Sequence, residues 1–229
     1  MCLRLHSGEN TLGQSRLAGC YASEFMGQFR FRDIDGTETA PEKWLTKWAD
    51  RYRSQVYDQA EYEELIAKHQ SFTAEDYIRI GRWKDNAKTD GKWKADVASV
   101  AYPIWIQASR EVPKCPAQTG VEGFLNDWAN RRYTDTFKNG RQQTKPFGLS
   151  RATALLHFVS GGRFPIFDSR VRTAMKRLLD MQISNTVGWY LEFYCSLFNE
   201  VAALCGTKDY RRVDMALFSY GARKLPFSN

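Results

Sequence analysis

The segment covering residues 145–179 constrains the fold more than any other part of the chain. Its apolar residues recur at the three- and four-residue steps of a helix face, on both sides of a break at Pro165. Pro165 ends the first helix, because it has no backbone N–H and disfavours a helical conformation at Phe164. Asp168 then stands where a carboxylate caps the second helix by accepting unpaired backbone N–H groups. The segment therefore predicts two helices joined by a short loop.

The same periodicity predicts helices over most of the remaining sequence. Helix starts are indicated by Pro41 and by two capping boxes, Thr73 with Asp76 and Thr119 with Glu122. Two further helices are predicted over residues 186–204 and 209–220. A convincing run of alternating apolar and polar residues, which is typical of a half-buried strand, is not found. The predicted fold class is therefore mainly α.

Composition and hydropathy limit the protein classes to consider. Hydrophobic residues make up 43% of the 229 residues, which is enough to build a core. No stretch approaches the ~20 consecutive apolar residues of a bilayer-spanning helix, and the first residues lack the apolar run of a secretory signal. We therefore expect no membrane partner. Because composition does not change abruptly along the chain, we also expect one bilobal helical domain over residues 1–229.

Charge and cysteine usage indicate a partner and a compartment. The formal net charge of +7 favours a polyanionic partner, of which nucleic acid is the commonest, although incidental basic charge is the alternative. The five cysteines have no C-x-x-C spacing, and the three histidines lie far apart. We therefore expect free thiols in a reducing compartment, the cytoplasm, and no metal site.

Residues 145–180 resemble the second half of the helix-hairpin-helix motif and the following Pro-Asp loop of DNA glycosylases in the endonuclease III superfamily. In that family a glycine-containing hairpin precedes an apolar helix, and a loop of proline, two hydrophobic residues and aspartate precedes a helix carrying Lys-Arg-Leu. The matching residues are Gly148, Ala152, Pro165-Ile166-Phe167-Asp168, Val171 and Lys176-Arg177-Leu178. Residues 213–222 are similar to the family's late helix, which ends in a glycine. The resemblance implies a bilobal helical glycosylase-like fold.

The sequence departs from the family pattern in three places. Pro146 stands where the hairpin's first glycine is expected. The four-cysteine iron–sulfur run is absent after residue 180, where Cys195 and Cys205 are the remaining cysteines. Thr173 stands where an arginine usually follows the catalytic loop. The resemblance therefore implies a divergent glycosylase without an iron–sulfur cluster or another cofactor.

The resemblance implies that Asp168 is the catalytic residue. A glycosylase swings the target base out of the duplex and cleaves its bond to deoxyribose through a sugar cation. A fixed carboxylate stabilises that cation and can orient or deprotonate water. Ser150, 18 positions before Asp168, occupies the position of the family's Schiff-base lysine, as it does in the adenine-excising branch. We therefore expect a monofunctional enzyme that leaves an abasic site, and a helix cap without catalytic function is the alternative for Asp168.

The resemblance also implies DNA contacts and a base pocket. The family's hairpin binds a phosphate through backbone N–H groups at a helix start, and arginines add phosphate contacts. The residues assigned to DNA binding are Phe147, Gly148, Ser150, Arg151, Arg163, Arg170 and Arg172. The aromatic candidates for the base pocket are Trp83, Trp105 and Tyr220. A solvated basic face and packing in the core are the respective alternatives.

The base and the biological role stay open at this point. The substrate is a damaged base in DNA repair, or a hypermodified cytosine such as glucosylated 5-hydroxymethylcytosine in defence against phage. We expect the protein to act on DNA as a monomer. Two other functions compete with this hypothesis: a non-catalytic DNA-binding module that kept the fold, and a helical protein whose basic charge is incidental.

Overall fold

The structure is a computed structural model that describes residues 29–53, 59–85, 103–136 and 142–222. Helices account for most of these residues, so the predicted mainly α class is confirmed. The α-helices are α1 (Pro41–Arg53), α2 (Gln59–Ala67), α3 (Ala74–Asp85), α4 (Pro103–Glu111), α5 (Val121–Asn130), α6 (Leu149–Val159), α7 (Ser169–Leu179), α8 (Val187–Trp189), α9 (Cys195–Leu204) and α10 (Tyr210–Tyr220). A π-helical turn, Tyr190–Tyr194, joins α8 to α9.

Half of the capping box predicted at Thr73 and Asp76 forms, because the Asp76 side chain accepts from Thr73 while the Asp76 N–H donates to the Thr73 carbonyl rather than to its hydroxyl. At the start of α3, the backbone N–H and the hydroxyl of Thr73 both donate to Asp76 Oδ2, at 2.8 Å each. The second box is wrong, because Thr119 lies in a 3₁₀ turn, Gln118–Gly120, and α5 begins at Val121 without a side-chain cap.

A β-hairpin contradicts the expectation that strands are absent. Strand β1 (Arg132–Thr136) pairs with β2 (Gln142–Pro146) in antiparallel register, with Arg132 opposite Pro146. Both strands consist almost entirely of polar residues, so they carry no period-two hydrophobic pattern. The hairpin leads directly into α6, and Pro146 ends the ladder, where its missing N–H is tolerated.

Helix α10 packs along α1 and against α7. The rings of Trp44 and Trp48 on α1 each meet the Tyr220 ring edge-on, with centroids 5.2 Å apart. Just beyond α10, a Cβ atom on Gly221 would lie 1.7 Å from the carbonyl oxygen of Arg170. Glycine at this position therefore allows the C-terminal end of α10 to touch the first turn of α7.

Helices α3, α4, α5 and α6 form the other side of the core. Gly81 on α3 faces Trp105 on α4 so closely that a Cβ atom would lie 2.3 Å from Trp105 Cγ. The Phe147 ring, just before α6, contacts the rings of Trp105 and Trp128 at 5.1 and 5.6 Å. Gly148 follows with a φ of +81°, a conformation that favours glycine. These contacts fix the start of α6 relative to α3.

Candidate active site

Asp168 caps helix α7, as the sequence predicts. Its backbone is extended, and its Oδ1 atom accepts hydrogen bonds from the N–H groups of Arg170 at 2.9 Å and Val171 at 3.0 Å. The N–H of the preceding residue, Phe167, donates to the Thr153 hydroxyl of α6 at 3.1 Å. The carboxylate is therefore held in position by both helices that flank the loop.

Two buried tyrosines hold the loop before Asp168 from the other side. The Tyr190 hydroxyl donates to the Pro165 carbonyl at 2.9 Å, and the Tyr194 hydroxyl donates to the Ile166 carbonyl at 3.1 Å. Burial raises the pKa of both tyrosines well above its usual value, so both stay protonated donors at neutral pH. The two tyrosines bound the π-helical turn, a feature frequent at functional sites. The sequence predicts the helix but not this turn.

Lys84, at the end of α3, pairs with Asp168 across the core. Its Nζ atom lies 3.0 Å from Asp168 Oδ2, and the two side chains are 8% and 10% exposed. Burial raises the pKa of Asp168, but the Lys84 charge and the N–H groups of Val171 and Arg170 lower it by more. The pKa of Asp168 therefore lies below its usual value, and the carboxylate is ionised at neutral pH. Nothing in the sequence indicates this pair, because its members are 84 positions apart.

Asp214, on α10, is a second buried acid beside Asp168. Burial raises its pKa, the charge of Arg211 opposes this, and the charge of Asp168 adds to it, with a net rise. Arg211 donates to Asp214 Oδ2 from one helical turn before it. A cavity of about 10 Å³, room for about one water molecule, is lined by Tyr52, Trp83, Lys84, Ile166, Asp168, Asp214 and Phe218. The Arg-x-x-Asp spacing is the one local signal that could have found Asp214.

An open groove of about 770 Å³ follows α7 from Ser169, the residue after Asp168, and the buried Asp168 carboxylate does not line it. Its lining includes Ser169, Arg170, Arg172, Thr173, Lys176, Gln182 and Ile183. The Arg170 guanidinium lies over the Phe218 ring at 4.3 Å, and that of Arg172 lies 5.9 Å from the Phe167 ring. Two of the arginines assigned to DNA thus share one groove with a lysine that the sequence analysis did not assign.

The other two assigned arginines lie apart from this groove. Arg151 donates from Nε to Asp85 Oδ2 at 2.8 Å, within a partly buried ion pair. Arg163 is exposed and donates to the Ser160 carbonyl at 3.1 Å and to Cys115 Sγ at 2.9 Å. The structure therefore does not bring the four arginines together as one phosphate-binding surface.

The proposed phosphate-binding hairpin requires a correction. The N–H of Phe147 donates to the Arg131 carbonyl at 2.7 Å, and that of Gly148 donates to the Ala129 carbonyl at 3.0 Å. These bonds attach the start of α6 to the end of α5, so neither N–H points to a phosphate. Ser150 lies half-buried in the first turn of α6, where helix N–H groups have no intrahelical acceptor.

The aromatic base-pocket assignment also requires a correction. Trp105 and Tyr220 are 1% and 3% exposed; Trp105 donates to Asp85 at 2.8 Å, and Tyr220 packs on α1. Trp83 lines the small cavity beside Asp168, but it too is buried. Stacking with an extrahelical base requires an accessible ring face. The three rings are core residues, which was the alternative for each of them.

Comparison with protein-family models, with curated proteins and with solved structures finds no match for the chain. Within the described ranges, no helix is both long enough and apolar enough to cross a bilayer. In the same part of the chain, no three His, Cys, Asp or Glu side chains come together as potential metal ligands. The functional interpretation therefore depends on the residues around Asp168.

Proposed function

We propose that the protein is a monofunctional DNA glycosylase of a divergent helix-hairpin-helix fold, with Asp168 as its catalytic carboxylate. One observation carries the proposal: a buried, ionised carboxylate is fixed at the cap of α7, the helix whose next residues, from Ser169 onward, line a basic groove. The groove supplies the phosphate contacts, and Asp168 supplies the negative charge near the reacting sugar.

The chemistry follows from the position of the charge. As the bond between base and sugar breaks, positive charge develops on the deoxyribose ring. A carboxylate that is already oriented and already ionised stabilises this charge without reorganising during the reaction. Asp168 meets both conditions, because its Oδ1 atom is fixed by the N–H groups of Arg170 and Val171, which lower its pKa independently of Lys84. The bonding pair leaves with the base, water then adds to C1′ of the sugar cation, and the proton that water releases neutralises the departing base, so that an abasic site remains.

The site must open for this reaction. In the structure, Asp168 Oδ2 faces Lys84, and the adjoining cavity of about 10 Å³ has no room for a nucleotide. We propose that DNA binding displaces the Lys84 ammonium from Oδ2, which frees this oxygen to face the sugar. Oδ1 stays bonded to the helix throughout.

A second candidate function is a non-catalytic DNA-binding module. The closed cavity and the full set of partners around Asp168 favour it, because an aspartate that only caps α7 and neutralises Lys84 has the same contacts. The basic groove serves either function equally well. Catalytic activity, rather than DNA affinity, therefore separates the two candidates.

The test is a panel of duplexes that carry damaged or modified bases, including hydroxymethylated and glucosylated cytosine. Alkali after incubation converts each abasic site into a strand break. We expect breaks with one class of base, and Asp168→Asn should lower the rate about 10²–10³-fold while most DNA affinity remains. Asp180→Asn, at the other end of α7, is the matched control and should retain activity. DNA binding without breaks on any duplex indicates the module, and full activity in Asp168→Asn contradicts the catalytic role.

A further inference from the structure

A second cavity lies on the Pro165 side of the Asp168 loop. It encloses about 180 Å³ between α2, α6, α9 and α10. Asp214 lines both this cavity and the small cavity beside Asp168. One carboxyl side chain therefore borders both spaces, and we name the larger one the Asp214 cavity.

Arg211 forms a fixed cationic wall of the Asp214 cavity. Its guanidinium lies 4.0 Å from the Tyr62 ring centroid, and it donates to the Tyr52 hydroxyl at 2.9 Å and to Asp214. Its Nε–H is buried and has no acceptor among the described residues. Because the Nε atom has no accessible surface, only the terminal N–H groups of Arg211 can reach a ligand in the cavity.

Other polar groups line the same cavity, among them His157, Asn199 and the exposed Arg163. His157 lies between the Phe164 carbonyl, 2.7 Å from Nδ1, and the Tyr62 hydroxyl, 2.9 Å from Nε2. Burial lowers the pKa of His157 to about 4, so the ring is neutral at pH 7. Nδ1 must then donate to the carbonyl and Nε2 must accept from Tyr62. Asn199 adds an exposed amide, with one acceptor and two donor hydrogens, at the same cavity.

We propose that the Asp214 cavity binds a planar nitrogen heterocycle that carries a carbonyl and an amino group on the two carbons flanking one ring nitrogen, the pattern of cytosine and guanine. Arg211 and the Asn199 amide donate to the carbonyl, and Asp214 accepts from the amino group, as carboxylates do from cytosine N4. Adenine has no carbonyl, and uracil has no amino group. Cytosines substituted at C5 keep the same hydrogen-bonding edge.

The size of the cavity agrees with this ligand. Its 180 Å³ is far larger than the one-water cavity beside Asp168 and lies below the range of drug-sized pockets, which suits one base. The assignment of the ligand as the base released from DNA rests on the proposed function. In that case the base passes Asp214 after its bond to the sugar breaks beside Asp168.

The test is calorimetric titration of the full chain with free cytosine, guanine, adenine and uracil. We expect cytosine and guanine to bind at least about tenfold more tightly than adenine and uracil. Asn199→Trp fills the cavity from an exposed position and should weaken binding by at least about tenfold. Asn126→Trp, at an exposed position on α5, should leave binding unchanged. Asn199→Ala, which preserves the backbone and removes the amide, should weaken binding even if the tryptophan variant fails to fold.

The outcomes separate this proposal from the glycosylase function. If the four bases bind equally or not at all, or if both Asn199 variants bind like the wild type, the cavity proposal is wrong. Asp168→Asn should bind the free bases normally, because Asp168 does not line this cavity. If the bases bind selectively but no duplex yields abasic sites, the glycosylase proposal is wrong and the base-binding proposal stands. If abasic sites form but no free base binds, the glycosylase proposal stands and the base-binding proposal is wrong.

Discussion

Lys84 and Asp168 form a nearly solvent-free ion pair, with 3.0 Å between Nζ and Oδ2. The pair joins the last turn of α3 to the first turn of α7, and it lies where the proposed reaction needs a negative charge. Such a pair need not add net stability, because burying both charges has a large desolvation cost. Its consequence is to keep Asp168 ionised in the absence of DNA.

The first prediction concerns removal of Lys84. Lys84→Met should lower the free energy of unfolding by about 3–5 kcal/mol, because it leaves the Asp168 charge buried without its cation. The double variant Lys84→Met/Asp168→Asn should recover part of that loss, because it removes the unpaired charge as well. Urea denaturation of the four proteins gives the coupling energy. Lys43→Met, at an exposed position on α1, should change stability by less than about 0.5 kcal/mol, and an equal loss there would contradict the interpretation.

The second prediction concerns acid stability. The pKa of Asp168 is lowered in the folded protein, so its stabilising contribution is present above the unfolded value of about 3.9 and is lost as pH falls through the folded pKa. Asp214 has the opposite sign: its pKa is raised, so its contribution is lost as pH rises through the folded value. Asp168→Asn should therefore make the free energy of unfolding fall less steeply as pH is lowered. Asp214→Asn should reduce the loss of unfolding free energy that occurs as pH rises above about 4.

These opposite effects can be measured by urea unfolding from about pH 6 to about pH 2.5. Asp180→Asn, an exposed substitution, is the control for removing a carboxyl group from α7. Parallel curves for the wild type and Asp168→Asn would contradict the lowered pKa of Asp168.

The third prediction concerns the reaction type. Because Ser150 matches the position of the Schiff-base lysine in the glycosylases that residues 145–180 resemble, we expect no covalent trapping of the protein on DNA by borohydride. The structure does place one amine, that of Lys84, close to Asp168. Strong trapping would contradict monofunctional chemistry, and its loss in Lys84→Arg would then identify Lys84 as the attacking amine. Denaturing gel electrophoresis after borohydride treatment measures both results.

The site was predictable from the sequence where its signals are local. The cap at Asp168 follows from a proline three residues earlier and an apolar helix just after it. Lys84 lies on another helix, and the carbonyls that occupy the N–H groups of Phe147 and Gly148 come from α5 and the residue after it. Only tertiary packing brings these groups together. The β-hairpin was missed for a different reason, since its polar strands have no buried face to produce an alternating pattern.

The fourth prediction concerns the groove along α7. Arg172→Ala and Lys176→Ala should each weaken DNA binding and reduce the slope of log K against log salt by about 1, as expected for the loss of one phosphate contact. Arg163→Ala should change the slope little, because Arg163 lies at the Asp214 cavity and bonds to Ser160 and Cys115. Fluorescence anisotropy with a labelled duplex over a range of salt concentrations provides the slopes. If Arg163→Ala weakens DNA binding as much as Arg172→Ala does, the assignment of the groove as the DNA-binding surface is wrong.

The last prediction concerns the contact between α10 and α7. Gly221→Ala should force the two helices apart, because its Cβ atom would lie 1.7 Å from the backbone oxygen of Arg170 and backbone cannot rotate away as a side chain can. We expect a loss of about 3 kcal/mol or more in unfolding free energy, and a lower catalytic rate because Asp168 caps the displaced turn. Gly123→Ala is the matched control: it lies within helix α5 with nothing within 4 Å of the added atom, and it should stabilise the protein by about 0.5–1 kcal/mol. Thermal and urea unfolding give both values. If Gly221→Ala is as stable and as active as Gly123→Ala, the position of Asp168 does not depend on the close approach of α10.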